Sequence, residues 1–278
     1  MRASWIAFFA AFLVAHHAQA QAAEKTEKLP FDAVEQEQRT YIYAGVRYRG
    51  VFMPKFMFNA VVNEGASLYS NQIGIEAEIR SRGISIVPSL SFQEWGMGDT
   101  LWLEKGKPDS VAANWSVVNS KLKAINATVD VLWSTKLKPN LDFEYGGGVG
   151  LGVAFGSLGV NWTYFDEPGA FRTSDGRGMS ACKTESGSAG GCTRREHSFA
   201  EEAKVGGYQE KSWFNGGAKP NFIPWITPQV GLRYRPSPEV VTRLGVGVGL
   251  TGMWFGISGD YGVAVRRQEQ KSTVIYEE

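Results

Sequence analysis

The sequence predicts an all-β chain: a transmembrane, antiparallel, up-and-down β-barrel of about eight strands with long extracellular loops. Three observations predict it. Segments of about a dozen residues alternate apolar and polar positions, which is the period of a strand. After the first 20 residues no apolar run is long enough to cross a bilayer as a helix. Short and long connections between the segments alternate, as they do where tight turns face one side of a membrane and loops the other.

The segments follow in order. Positions 41–53 set Ile42, Ala44, Val46, Tyr48 and Phe52 against Arg47 and Arg49. Positions 69–80 set Ile73, Ile75, Ala77 and Ile79 against Gln72, Glu76, Glu78 and Arg80. Positions 84–94 set Ile86, Leu90 and Phe92 against serines, and 123–133 set Ile125, Val129, Val131 and Trp133 against Asn126, Thr128 and Asp130. Positions 141–155 alternate most cleanly, with Asp142, Glu144 and glycines on the polar side. Positions 226–235, 240–250 and 254–266 complete the set and bring Arg233, Arg243, Asp260 and Arg266 to the polar side. Pro88 and Pro228 fall inside these segments and lack an N–H for the ladder, which predicts bulges or shorter strands there. Aromatics near the ends predict two girdles: Tyr41, Tyr43, Trp133, Phe143 and Tyr234 toward the short turns, and Phe52, Phe92, Phe155 and Trp225 toward the loops. A soluble β-sandwich also alternates, but its polar face would meet water and carry more charge.

The N-terminus points to export. Arg2, the apolar run 5–15 and Ala18-Gln19-Ala20 read as a cleaved signal peptide over 1–20. A periplasmic N-terminal segment over 21–40, an outer-membrane barrel over 41–266 and a polar periplasmic tail over 267–278 follow from it. Arg2 is the sole charge removed, which leaves 28 basic against 28 acidic residues. A neutral chain has no electrostatic reason to seek nucleic acid. Its 33 glycines and 13% aromatic content suit a membrane barrel.

The polar face carries Arg47, Arg49, Arg80, Arg233, Arg243 and Arg266, and Glu76, Glu78, Asp130, Asp142, Glu144 and Asp260. An eight-stranded barrel has room only for its own side chains or one small ligand. Six cations and six anions crowded there should pair into an ionic plug. A selective pore would show one dominant sign. Inward glycines at 146, 148, 150 and 152, and at 245, 247 and 249, leave space for long side chains from other strands.

Nothing in the sequence calls for a catalytic centre, a cofactor or a metal. Once the signal is removed His197 is the sole histidine, beside Ser198, Glu201 and Glu202 in the longest loop, and a lone loop histidine is ordinarily just solvated. Cys182 and Cys192 lie in the same loop and would form one local disulfide in an oxidising compartment. Phe56, Met57, Phe58 and Val61 make an apolar stretch in the first long loop, either a lid or a docking patch.

By pattern over about 41–266, the chain resembles the small outer-membrane barrels related to the OmpA transmembrane domain and OmpW. It departs from them in ending on a polar tail rather than a terminal aromatic. The resemblance implies a Gram-negative outer membrane, lipid as a partner and other envelope proteins as docking partners, including those of a motility or secretion machine. A narrow passive channel is the alternative expectation.

Overall fold

The computed structural model describes residues 30–59, 62–167, 169–181, 207–211 and 222–267. Eight long strands form its frame: β1 (Arg39–Met53), β3 (Leu68–Ser81), β4 (Ile84–Glu104), β5 (Trp115–Lys138), β6 (Leu141–Phe155), β11 (Phe222–Ser237), β12 (Val240–Gly249) and β13 (Gly252–Arg267). Each is antiparallel to the next, β6 meets β11, and β13 returns to β1, so the ring is closed. Starting from Arg49, the paired residues reach β5 at Ala124 in one direction around the ring and at Ser134 in the other. That ten-residue offset is the stagger that tilts the strands and closes the barrel without a free edge.

The barrel is inside out relative to a soluble protein. Ile73 and Ile75 on the outer face are each 63% exposed, while Glu78 between the strands' inner faces is 0% exposed. Apolar side chains around the whole outer wall cannot be stable in water, so the wall is built for lipid. The fold is a transmembrane-type up-and-down barrel. No helix among the described residues is long and apolar enough to cross a membrane; the strands do so.

Turn chemistry sets the short-turn end. Ser81 pairs with Ile84 across a two-residue turn in which Arg82 (φ 51°) and Gly83 (φ 74°) are both left-handed, a geometry that follows the twist of the flanking strands. Turn carbonyls then tie to the next strand: Ser134 N–H donates to Gly83 O at 2.9 Å, Arg235 N–H to Asn140 O at 2.8 Å and Gly262 N–H to Glu239 O at 2.7 Å.

Several expectations are corrected. Both prolines sit in strands that keep their register. At Pro88 the β3–β4 ladder skips two pairs and resumes in the same register, and Pro228 lies where the β11–β12 ladder begins, so neither forces a bulge. Tyr41, Tyr43 and Trp225 are buried inside, not in a girdle. Trp133, Phe143, Tyr145 and Tyr234 do face outward at the turn end, with Trp133 and Tyr145 stacked at 6.5 Å. Strands β4 and β5 run well past the alternating segments, because above the lipid their outer faces no longer need apolar residues.

The long connections are structured. A four-residue helical turn, α1 (Lys55–Phe58), precedes β2 (Val62–Glu64), which pairs with the end of β4. The longest connection contains β7 (Ser157–Phe165), β8 (Phe171–Arg172), β9 (Gly178–Ala181) and β10 (Gly207–Lys211). β7 carries on along β5 in the register of β6, with Gly156 (φ 105°) at the joint. β9 and β10 pair with β7, and β8 pairs with β9. Leu103, Trp115 and Met179, with Leu101, Ala112 and Phe171 against them, give this extension its own apolar core.

Candidate functional site: the ionic lumen and its two mouths

The strand period puts every second side chain of eight strands into one narrow space, and the sequence fills those positions with charge. Arg47, Arg49, Arg80, Arg233 and Arg243 are buried there with Glu76, Glu78, Asp130, Asp142, Glu144 and Asp260. Arg266 is not among them. Val263 is an extra residue in β13, left between the pairs Tyr43–Gly262 and Ile42–Ala264. A one-residue bulge reverses the face of everything beyond it. Val265 therefore turns inward to Tyr41, Tyr43 and Val241, and Arg266 turns out and is exposed.

The buried charges form a ladder along the lumen. Arg233 meets Glu35 at 2.8 Å and Glu78 at 3.0 Å. Glu78 is 3.8 Å from Arg243, and Arg243 pairs with Glu76 and, at 2.8 Å, with Asp260. Glu76 reaches Arg47 at 3.2 Å, Arg47 reaches Asp130 at 3.0 Å, and Asp130 reaches Arg49 at 2.7 Å. Arg80 branches off to Glu35 and Asp142, each at 2.7 Å. Signs alternate at every step, so no charge is left buried without an opposite neighbour, the condition under which burial is tolerable.

Above Arg49 the lumen is neutral. Its guanidinium lies 3.9 Å from the centre of the Trp254 ring and 5.7 Å from that of Trp225, a cation–π cap on the ladder. Trp254 fits because Gly245 and Gly247 lie beneath it; a Cβ at Gly247 would stand 2.6 Å from the indole nitrogen. On the other glycine row, Asp130, Thr128 and Asn126 of β5 lean over Gly148, Gly150 and Gly152. Beyond these lies an amide layer in which Asn126 donates to Gln93 at 3.1 Å, Gln93 to Ser70 at 2.7 Å and Gln72 to Ser91 at 2.7 Å. Between Arg47, Glu76, Asp130, Gln229, Arg243 and Trp254 there is a cavity of about 60 Å³, enough for a few waters and for no larger solute.

The mouth at the turn end is occupied by residues before β1. Phe31 packs at a tilt against Tyr41 and Tyr43, with ring centres 6.3 and 5.5 Å away. Asp32 pairs with Arg39 at 3.0 Å and accepts the Tyr41 hydroxyl. Glu35 binds Arg80 and Arg233, accepts the Tyr43 hydroxyl at 3.1 Å, and lies 3.7 Å from Arg235. Arg235 donates to the carbonyls of Asp32 and Ala33. Burial pushes the Glu35 carboxyl up, but the guanidiniums of Arg233 and Arg80 outweigh it and hold the group below its ordinary value. Sequence reasoning missed Glu35 and Arg235. The available signal was a cluster of acids, Asp32, Glu35 and Glu37, immediately before a barrel end rich in arginine.

At the loop end Phe56 is 66% exposed, Met57 is half-buried, and Phe58 packs edge-on against Trp102 at 5.2 Å. Val61 lies outside the described residues, as do the signal segment, Cys182, Cys192, His197 and the tail from 268. A cleft of about 380 Å³ separates β2 from β8, lined by Lys55, Glu64, Asp99, Trp115 and Arg172, and bridged where the Ser174 hydroxyl donates to Glu64. No group of His, Cys, Asp and Glu among the described residues is arranged to hold a metal.

The closed ring, the lipid-facing wall and the ionic interior define a class, the small β-barrels of the outer-membrane type. No protein-family model matches the chain, and no curated protein matches it. Among solved structures it is similar to Ail, the attachment invasion locus protein of Yersinia pestis, crystallised with the heparin analogue sucrose octasulfate, at 9% identity over 84% of this chain and 99% of that one, with a TM-score of 0.34. It is also similar to Neisserial surface protein A, at 12% identity over 83% of this chain and 97% of that one, with a TM-score of 0.28. Scores this low transfer neither ligand nor activity.

Proposed function

We propose that this chain is an outer-membrane protein of a Gram-negative bacterium that serves as a docking platform, not as an enzyme or an open pore. The observation that carries this reading is the division of the molecule into a filled lumen and a folded extension. An alternating ladder from Glu35 to Arg49 occupies the interior. The long connections spend their residues on a sheet with its own core around Trp115. A barrel that only filled membrane would need no such extension. The turn end, with residues 30–38 in its mouth, faces the periplasm, and the extension faces outward. Lipid covers the wall, and another envelope protein meets the extension near Phe56.

The test is a photo-crosslinking residue placed at Phe56 in whole cells. A discrete adduct with one envelope protein is expected, with no such adduct from the same probe at Ile73 on the lipid face. Adducts with lipid alone from both positions would reject the docking role. One observation favours a second reading, a narrow path for water or small ions. Asp130 Oδ1, Gln229 Nε2, Arg243 Nη1 and Trp254 Nε1 make no hydrogen bond among the described residues, and their side chains line the cavity in the ladder.

A further inference from the structure

The mouth at the turn end holds a second cavity beside the Glu35 latch. Its volume is about 330 Å³, within the range of small-ligand sites. Arg39, Arg80, Arg82, Lys136, Arg233 and Arg235 line it, against Glu35, Glu37 and Asp142. Much of that charge is already paired, Arg39 with Asp32 and both Arg80 and Arg233 with Glu35. Two cations are left over, and a third is only partly engaged. Arg82 and Lys136 make no ion pair among the described residues, while Arg235 lies 3.7 Å from Glu35 and puts two of its five N–H groups on backbone carbonyls, which leaves it further donors. Glu37 is the one lining acid without a partner among the described residues, so the cavity keeps a net positive charge.

Two further facts point the same way. Arg82 holds a left-handed backbone position where glycine or asparagine would be more stable, so the chain carries a guanidinium at this rim against local preference. Glu35 already shows what the mouth binds: a carboxylate, presented by a short irregular segment, taken up by two buried guanidiniums and a tyrosine hydroxyl. The remaining space offers the same chemistry with the acid missing.

We infer that this cavity is an oxyanion site, taking a phosphate group through Arg82, Lys136 and Arg235 beside the Glu35 latch. Guanidinium and ammonium donors converging on one polar space suit phosphate, which accepts several charge-assisted hydrogen bonds at once. The group can arrive free in solution or on the headgroup of a lipid at the barrel rim. The site stands apart from the docking extension, at the opposite end of the barrel, and does not depend on it.

The mature chain, purified in a maltoside detergent, is titrated with inorganic phosphate and with pyrophosphate by calorimetry. Saturable binding is expected, tighter for pyrophosphate. The double variant Arg82→Asn, Lys136→Gln should weaken it by about tenfold or more, since two charge-assisted contacts are lost. Arg82→Asn suits the turn, so this variant folds, and a cooperative melt without ligand, at or above the wild-type temperature, verifies that. Native mass spectrometry separates the sources. Phosphatidylglycerol carried through purification by the wild type, and lost in the double variant, assigns a lipid headgroup. Phosphate binding with no retained lipid assigns a soluble anion. Either result supports the site. No saturable binding of either anion by the wild type, or equal affinity in the double variant, overturns it.

Discussion

Glu35 and Arg82 are the residues on which the turn end depends. Among the described residues Glu35 is the one acid from outside the strands that enters the ladder, so it couples the N-terminal segment to Arg80 and Arg233. Its carboxyl titrates below the ordinary range. The latch is therefore fully formed above the unfolded carboxylate range, about 4.3, and is lost as pH falls through the lower folded value. Hydrogen exchange at residues 31–38 should stay slow at neutral pH and quicken in strong acid. In Glu35→Gln the same amides should exchange fast at every pH. Arg82→Asn should raise unfolding stability by about 1 kcal/mol in a urea titration, by relieving a left-handed arginine. Arg266 teaches the opposite lesson about single residues. Alternation counted from Phe255 puts it inside, and the extra Val263 breaks the count. A bulge leaves no mark in composition, so alternation alone misplaces every residue beyond one.

Among the elements, the wall was legible and the extension was not. Positions 141–155 alternate most cleanly, and β6 covers the same residues. The reason is physical: lipid outside and charge inside force each position to declare its face. Above the membrane both sides of a strand meet water or protein, so Trp95 to Glu104 carry no period although β4 continues through them. The strands at 157–165 and 178–181 were hidden in one 69-residue connection for the same cause. Within the ring the inward positions could be assigned by parity, while the Glu35 latch required a fold-back that no local pattern encodes. Two variants test the extension. Trp115→Ala removes the centre of its core and should cost about 3–5 kcal/mol locally. Limited proteolysis should then cut between 95 and 122 while the barrel survives. Gly156→Val places a side chain at a positive φ, with its Cβ 2.2 Å from the Lys121 carbonyl. It should break the joint between β6 and β7 and give the same cleavage.

At the scale of the whole molecule, closure and filling explain each other. The ring leaves no edge strand open to lipid, and the apolar wall leaves most of the charged residues of the strands to the inward positions. Those residues can be packed dry only if their charges alternate, which the chain from Glu35 to Arg49 achieves. The interior is thereby filled by its own ion pairs. Single-channel recording of the purified protein in planar bilayers, in molar potassium chloride, tests this most directly. The filled lumen predicts no resolvable steps in the wild type. Steady ohmic steps from the unaltered protein would show an open path through the ladder and contradict the account.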